Sequence, residues 1–206
     1  MGTLFAQNRV LPNKQWSVGL NYRHQNYNSV LFDDRNYFGL SFEHIVYKRF
    51  YLNTCIEYSS KKYHNEFDGT MLSPLFGPSP PLKSVSDGVI TNVLLPIDFK
   101  YIFLNNKKNT LQSFAYLGIE NQYYSDKSDW ISYYADRTEE ETIRKKYIFT
   151  YLQFGGGLNI NIYKFCLSIE MFCNSNYYQN YNFERTYRSH NKFNLKAGVH
   201  YVFGKD

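Results

Sequence analysis

Residues 193–203 read FNLKAGVHYVF. Every odd position is apolar: Phe193, Leu195, Ala197, Val199, Tyr201 and Phe203. The even positions carry Asn194, Lys196, Gly198 and His200, and only Val202 breaks the alternation. Side chains alternate faces along a strand, so this stretch is a strand with one apolar and one polar face. A strand in a globular sheet usually runs for about five or six residues. A tilted strand that crosses a bilayer needs about nine to eleven. The length points to a spanning strand, with its apolar side toward lipid and its polar side toward a lumen.

The same period recurs upstream. Trp16, Val18, Leu20 and Tyr22 alternate with polar or small residues, and so do Phe38, Leu40 and Phe42. Phe50, Leu52, Ile56 and Tyr58 oppose Asn53, Cys55 and Glu57. Val93, Leu95, Ile97, Phe99, Tyr101 and Phe103 oppose Asn92, Asp98 and Lys100. In residues 111–124 the face is ambiguous, because Phe114 and Tyr116 compete with Ala115, Leu117 and Ile119 for the outside. Ile148, Leu152, Phe154, Leu158, Ile160 and Ile162 form a further set, as do Phe165, Leu167, Ile169 and Met171. With residues 193–203 these segments predict eight strands.

The connections alternate in length. Residues 25–35, 61–88, 124–146 and 174–190 read as long loops, whereas Tyr47-Lys48-Arg49, the NNKKN at 105–109 and Tyr163-Lys164 read as tight turns. The Pro- and Gly-rich SPLFGPSPPLKS within 61–88 argues against a central strand there. Long external loops alternating with short periplasmic turns mark an up-and-down outer-membrane barrel. The predicted fold is therefore all-β: an eight-stranded antiparallel transmembrane barrel, with the last strand closing on the first and leaving no edge.

Composition agrees. Tyr (21) and Phe (17) dominate a 19% aromatic content, which suits strands ending at two membrane interfaces. Trp16, Tyr22, Tyr58, Tyr101, Tyr201 and Phe203 are the expected belt residues. The net charge of +5 comes without a long basic block, so no nucleic-acid partner is expected. Cys55, Cys166 and Cys173 have no CxxC spacing, and Cys166 and Cys173 belong to opposite faces of one strand. The leading MGTLFAQN resembles the tail of a secretory signal, so residues 1–6 are expected to be a signal remnant and 7–206 one barrel domain.

At VLLPIDFKYIF, residues 93–103, the chain resembles the central strand of the PorT-like small barrels of Bacteroidetes. Pro96, Lys100 and Tyr101 carry the likeness, together with FGGGLNI at 154–160 and GVHYVF at 198–203. The resemblance spans roughly residues 90–203. It departs from the family pattern at Phe203, which is three residues short of the end, and in FCLSIEMF, which lacks an Arg after its Glu. It implies a Bacteroidetes-like outer membrane and a non-enzymatic accessory component of a larger envelope machine.

Three groups of candidate residues follow. The polar faces place Arg23, Glu43, Glu57, Asp98, Lys100, Glu120, Glu170, Lys196 and His200 in the lumen, where buried charges must be paired. An eight-stranded lumen is just wide enough for side chains to fill, so this set reads as a structural plug. The glycines Gly155–Gly157 lack the Lys-Ser/Thr of a phosphate loop and read as space for bulky neighbours. Partner-docking residues are expected at Leu75, Phe76, Leu82, Trp130, Tyr133, Tyr134, Tyr177, Tyr178 and Tyr181. In DRTEEETIRKK, Thr138 and Glu141 have capping-box spacing, which predicts a short helix or a stiff projection. No cofactor, metal site or catalytic residue is implied. The expected partners are outer-membrane lipid and other outer-membrane or periplasmic proteins. The alternative reading is a stand-alone barrel for adhesion or envelope integrity, and a lipid-modifying barrel enzyme is the third.

Overall fold

The computed structural model describes residues 14–25, 35–68, 81–106, 108, 110–178 and 193–204. Eight antiparallel strands follow one another: β1 (Lys14–Gln25), β2 (Arg35–Tyr47), β3 (Phe50–Asp68), β4 (Lys83–Asn105), β5 (Leu111–Tyr133), β6 (Thr138–Ile162), β7 (Phe165–Tyr178) and β8 (Phe193–Gly204). Each pairs with its neighbour in sequence, and β8 pairs with β1 to close the ring. Val18 lies opposite Phe42 on β2 and Tyr201 on β8, and Leu20 lies opposite Leu40 and Val199.

Period two decides which side is covered. Leu20 and Phe38 are each 67% exposed, whereas Arg23 and Tyr37 between and beside them are fully buried. The exposed set continues through Ile97, Phe99, Leu158, Ile160, Leu167, Ile169 and Val199. An apolar outside around a polar inside inverts a soluble barrel, and a hydrocarbon surround is what makes it stable. Aromatic rings cluster toward the tight turns. Trp16 stacks on Phe203 at 4.0 Å, Phe203 and Tyr201 meet edge to face, and Phe50 lies 4.9 Å from Tyr101. The turns at Lys48-Arg49 and Tyr163-Lys164 begin on left-handed residues, with φ of 47° at Lys48 and 55° at Tyr163. That conformation matches the strand twist of two-residue hairpins.

The chain divides into two compact units, one within 1–57, 94–121 and 150–206, the other within 58–93 and 122–149. The second unit corrects the sequence reading. Residues 61–88 were expected to be a long loop, but β3 runs to Asp68 and β4 begins at Lys83. Residues 124–146 are not a loop either: β5 and β6 are 23 and 25 residues long, joined at 134–137, where the Tyr134 N–H donates to the Arg137 carbonyl at 2.8 Å. The capping-box helix is absent because Thr138 and Glu141 lie in β6. Strand spacing brings Thr142 Oγ1 within 2.7 Å of Asp129 across the hairpin, so the segment is held by its ladder. Residues 1–13, 26–34 and 179–192 lie outside the described residues. The signal remnant, the first external loop and most of the last fall there.

Candidate functional site

The lumen of the first unit holds a chain of buried charges. Arg23 on β1 is ion-paired through Nε with Glu57 on β3 at 2.6 Å, and its Nη1 donates to Glu120 on β5. Lys196 on β8 reaches the other Glu57 oxygen at 3.0 Å and donates to Cys55 Sγ at 3.1 Å. Asn174 on β7 donates to the free side of Glu120 at 2.9 Å. Arg23 and Glu120 are 0% exposed and Glu57 1%, so these bonds form in a medium where an unpaired charge costs several kcal/mol. β1, β3, β5, β7 and β8 are tied across the lumen by this one network.

A second group lies alongside. Lys100 on β4 pairs with Glu43 on β2 at 2.8 Å, and its ammonium sits 3.9 Å above the Phe114 ring. Arg23 likewise stacks its guanidinium 4.7 Å from Phe172. Cations over aromatic faces gain from the ring quadrupole, most when water is excluded. Asn53 Nδ2 donates to Asp98 at 3.5 Å, Glu170 lies across from Lys196 in the β7–β8 register, and His200 sits between the hydroxyls of Ser41 (3.3 Å) and Ser168 (3.4 Å). All nine polar positions singled out in the sequence therefore face the lumen side of their strands.

The lumen also contains an apolar cluster, Ile102, Phe114, Tyr116 and Phe172, with Tyr51 packed against it. This resolves the ambiguity on β5: Phe114 and Tyr116 point in, while Leu117 and Ile119 point out. Gly155 and Gly157 on β6 make it possible. A Cβ on Gly155 would lie 2.9 Å from Tyr116 Cζ and one on Gly157 2.8 Å from Phe114 Cζ, both closer than real Cβ contacts. Two rings thus occupy the space that side chains at 155 and 157 would take. All three cysteines are free and buried. Cys173 is on the outer parity of β7, as expected, yet is covered by its neighbours.

The second unit holds four of the candidate docking residues, Leu82, Trp130, Tyr133 and Tyr134. Phe67 and Trp130 stack at 5.4 Å. The Leu82 N–H donates to the Tyr133 carbonyl at 2.7 Å, and the Leu82 side chain is 66% exposed. Tyr134 lies 4.3 Å under the Arg137 guanidinium. These residues stand where β3, β4, β5 and β6 end or begin, so they share one end of this sheet. Tyr177 and Tyr178 belong to β7, whereas Leu75, Phe76 and Tyr181 lie outside the described residues. Lower on the sheet, Tyr63 Oη donates to Asp126 at 3.0 Å, and its ring passes over Gly88, where any Cβ would collide with it.

His64 meets two carboxylates in the same unit, Asp87 at 2.7 Å and Glu66 at 3.3 Å. These hydrogen bonds, Asp87 first, hold its pKa above the ordinary histidine value. Lys83, at 3.0 Å, and then His64 keep Glu66 below the usual carboxylate range. A raised histidine favours the fold most fully below its unfolded pKa of about 6.5, and the contribution fades as pH rises through the folded value. A proton titration of the His64 ring by NMR is expected to show a midpoint above about 6.5. It should fall toward that value in Asp87→Asn, with Glu66 still holding it above.

The fold and the filled lumen together define a small transmembrane β-barrel of outer-membrane type. No protein-family model matches the chain, and no curated protein sequence matches it. Among solved structures it is similar to the crystal structure of Ail, the attachment invasion locus protein of Yersinia pestis. Identity there is 11% over 94% of this chain and 100% of that one, with a TM-score of 0.47. Ail in complex with the heparin analogue sucrose octasulfate gives 12% identity over 92% and 97%, with a TM-score of 0.45. Ail in a phospholipid bilayer nanodisc gives 11% over 92% and 99%, with a TM-score of 0.40. At these scores the assignment rests on the chain's own register and burial.

Proposed function

We propose that this chain is a non-enzymatic barrel of a Gram-negative outer membrane and that its second compact unit serves as a docking surface. In this reading it is an accessory subunit of a larger outer-membrane protein complex. Strand length carries the reading: β4, β5 and β6 contain 23, 23 and 25 residues. A bilayer crossing uses about nine to eleven. The surplus belongs to a unit whose β6 segment is charged and exposed on both faces, which fits water and not lipid. Its end presents Phe67, Leu82, Trp130, Tyr133 and Tyr134, the aromatic-rich composition typical of protein interfaces. The interior network stiffens the barrel, and a filled lumen leaves no path for large solutes. The PorT-like motifs on β4, β6 and β8 favour a Bacteroidetes-like envelope and an accessory role over stand-alone adhesion.

The test is purification of a tagged copy from outer membranes in mild detergent, alongside Leu82→Glu/Tyr133→Glu. The expected result is a stoichiometric set of envelope proteins with the natural chain and its loss with the variant. A chain that purifies alone in several detergents would overturn the subunit reading.

A further inference from the structure

The three tight turns, at Lys48-Arg49, within 105–110 and at Tyr163-Lys164, join β2 to β3, β4 to β5 and β6 to β7. In an up-and-down ring such connections share one end, and all three belong to the first compact unit. Backbone bonds tie them to neighbouring strands. The Ile102 N–H donates to the Arg49 carbonyl at 3.0 Å, and the Val202 N–H to the Lys164 carbonyl at 2.8 Å. This end is basic. Lys48, Arg49 and Lys108 are exposed and Lys164 is half-buried. The acids nearest to these four in sequence are Glu43, Asp98 and Glu170, and all three face the lumen, Glu43 paired with Lys100.

Aromatic rings accompany the cations. Lys48 Nζ lies 4.9 Å from the Tyr47 ring and Lys164 Nζ 5.7 Å from that of Tyr163. Arg49 reaches along the wall and donates through Nη1 to the Phe103 carbonyl at 3.5 Å. Rings of this kind settle at the level of lipid headgroups, where a neighbouring Lys or Arg extends its charge to the interface. We infer that the turn end of the barrel binds anionic phospholipid headgroups, whose phosphates are held by Lys48, Arg49, Lys108 and Lys164. Basic residues beside a membrane surface are drawn to anionic lipid. A zwitterionic headgroup carries its own ammonium beside the phosphate and has less to gain from these four. The cations border the apolar wall that the bilayer covers, so the lipid that meets the wall also meets them.

The inference rests on the reading of the chain as a membrane barrel, and its test separates the two. Trp130→Phe leaves Trp16 as the one tryptophan of the full chain. Trp16 is exposed and stands between the first and third turns, opposite His44 on β2 and Phe203 on β8. This chain is placed in vesicles of phosphatidylcholine with a minor share of phosphatidylglycerol, the composition held fixed while one lipid or the other carries bromine high on its acyl chain. Brominated phosphatidylglycerol is expected to quench Trp16 as strongly as an about three-fold larger fraction of brominated phosphatidylcholine. Salt at about 1 M should reduce that preference. Lys48→Gln/Arg49→Gln/Lys108→Gln/Lys164→Gln should abolish it and leave quenching by phosphatidylcholine in place. Heat-dependent gel mobility checks that each chain is folded. Equal quenching by the two lipids before the glutamines are introduced would overturn the proposal and leave the barrel standing, and so would a preference that survives in the variant. Quenching by neither lipid would overturn both, because Trp16 would then not face the bilayer.

Discussion

Replacing Arg23 by alanine is expected to cost the folded barrel about 3–5 kcal/mol, the usual penalty for breaking a buried ion pair from one side. The guanidinium serves two carboxylates at once, Glu57 at 2.6 Å and Glu120, and rests on the Phe172 ring. Removing it leaves both acids in a space with almost no solvent, and Lys196 compensates only Glu57. The measurement is a urea titration in lipid vesicles, read by tryptophan fluorescence and by gel mobility. A second variant separates charge from packing. Arg23→Met with Glu120→Gln removes one cation and one anion and leaves Glu57 paired with Lys196, and buried pairs replaced by neutral groups of similar volume are often tolerated. The double variant should therefore recover most of the loss. If Arg23→Ala is as stable as the natural chain, the network is not holding the lumen together.

The second large effect is on the outer face. Val199→Arg should destabilise the inserted barrel by about 2–4 kcal/mol, the cost of a basic side chain near the bilayer midplane. Val199 lies opposite Leu20 on β1 and Leu167 on β7, so two aliphatic side chains flank the site on the lipid side. The same substitution at Tyr163, 83% exposed in a tight turn, should cost about 0–1 kcal/mol because the charge reaches water. Comparing the two by vesicle urea titration converts position into depth. Equal costs would mean that Val199 does not face hydrocarbon.

Much of the barrel was legible in the sequence because a hydrocarbon surround enforces strict alternation. Leu195, Val199 and Tyr201 could face only one way, and Lys196 and His200 only the other. Parity also placed the polar residues in the lumen, but it could not choose partners. That Arg23 takes Glu57 and Glu120, leaving Glu43 to Lys100, depends on how strands several positions apart face one another across the ring. Cys55 as an acceptor for Lys196 had no sequence signal beyond its parity. Phe114 and Tyr116 were ambiguous because aromatic residues occupy either face; the glycines of β6 decide it by leaving room inside.

The long strands were missed for a different reason. Residues 138–146 of β6 are exposed on both faces apart from the half-buried Ile143, so this segment shows no apolar alternation. Its acid-then-base order imitates helical i,i+4 pairing, although the same spacing also puts Glu141 and Lys145 on one face of a strand. Similarly, the prolines of 73–81 made the whole of 61–88 look like a loop, when β3 and β4 fill both its ends.

The most direct test of the account is spin labelling along β8 in lipid bilayers, one cysteine at a time from 194 to 203, in a chain with Cys55, Cys166 and Cys173 replaced. Labels at 195, 197, 199 and 201 should be accessible to oxygen dissolved in the lipid and shielded from a water-soluble nickel complex. Labels at 194, 196, 198 and 200 should be shielded from both, because the lumen is filled. Period-two oxygen accessibility with no nickel accessibility is the predicted result. A flat oxygen profile, or strong nickel accessibility at the even positions, would contradict a lipid-embedded barrel with a closed interior.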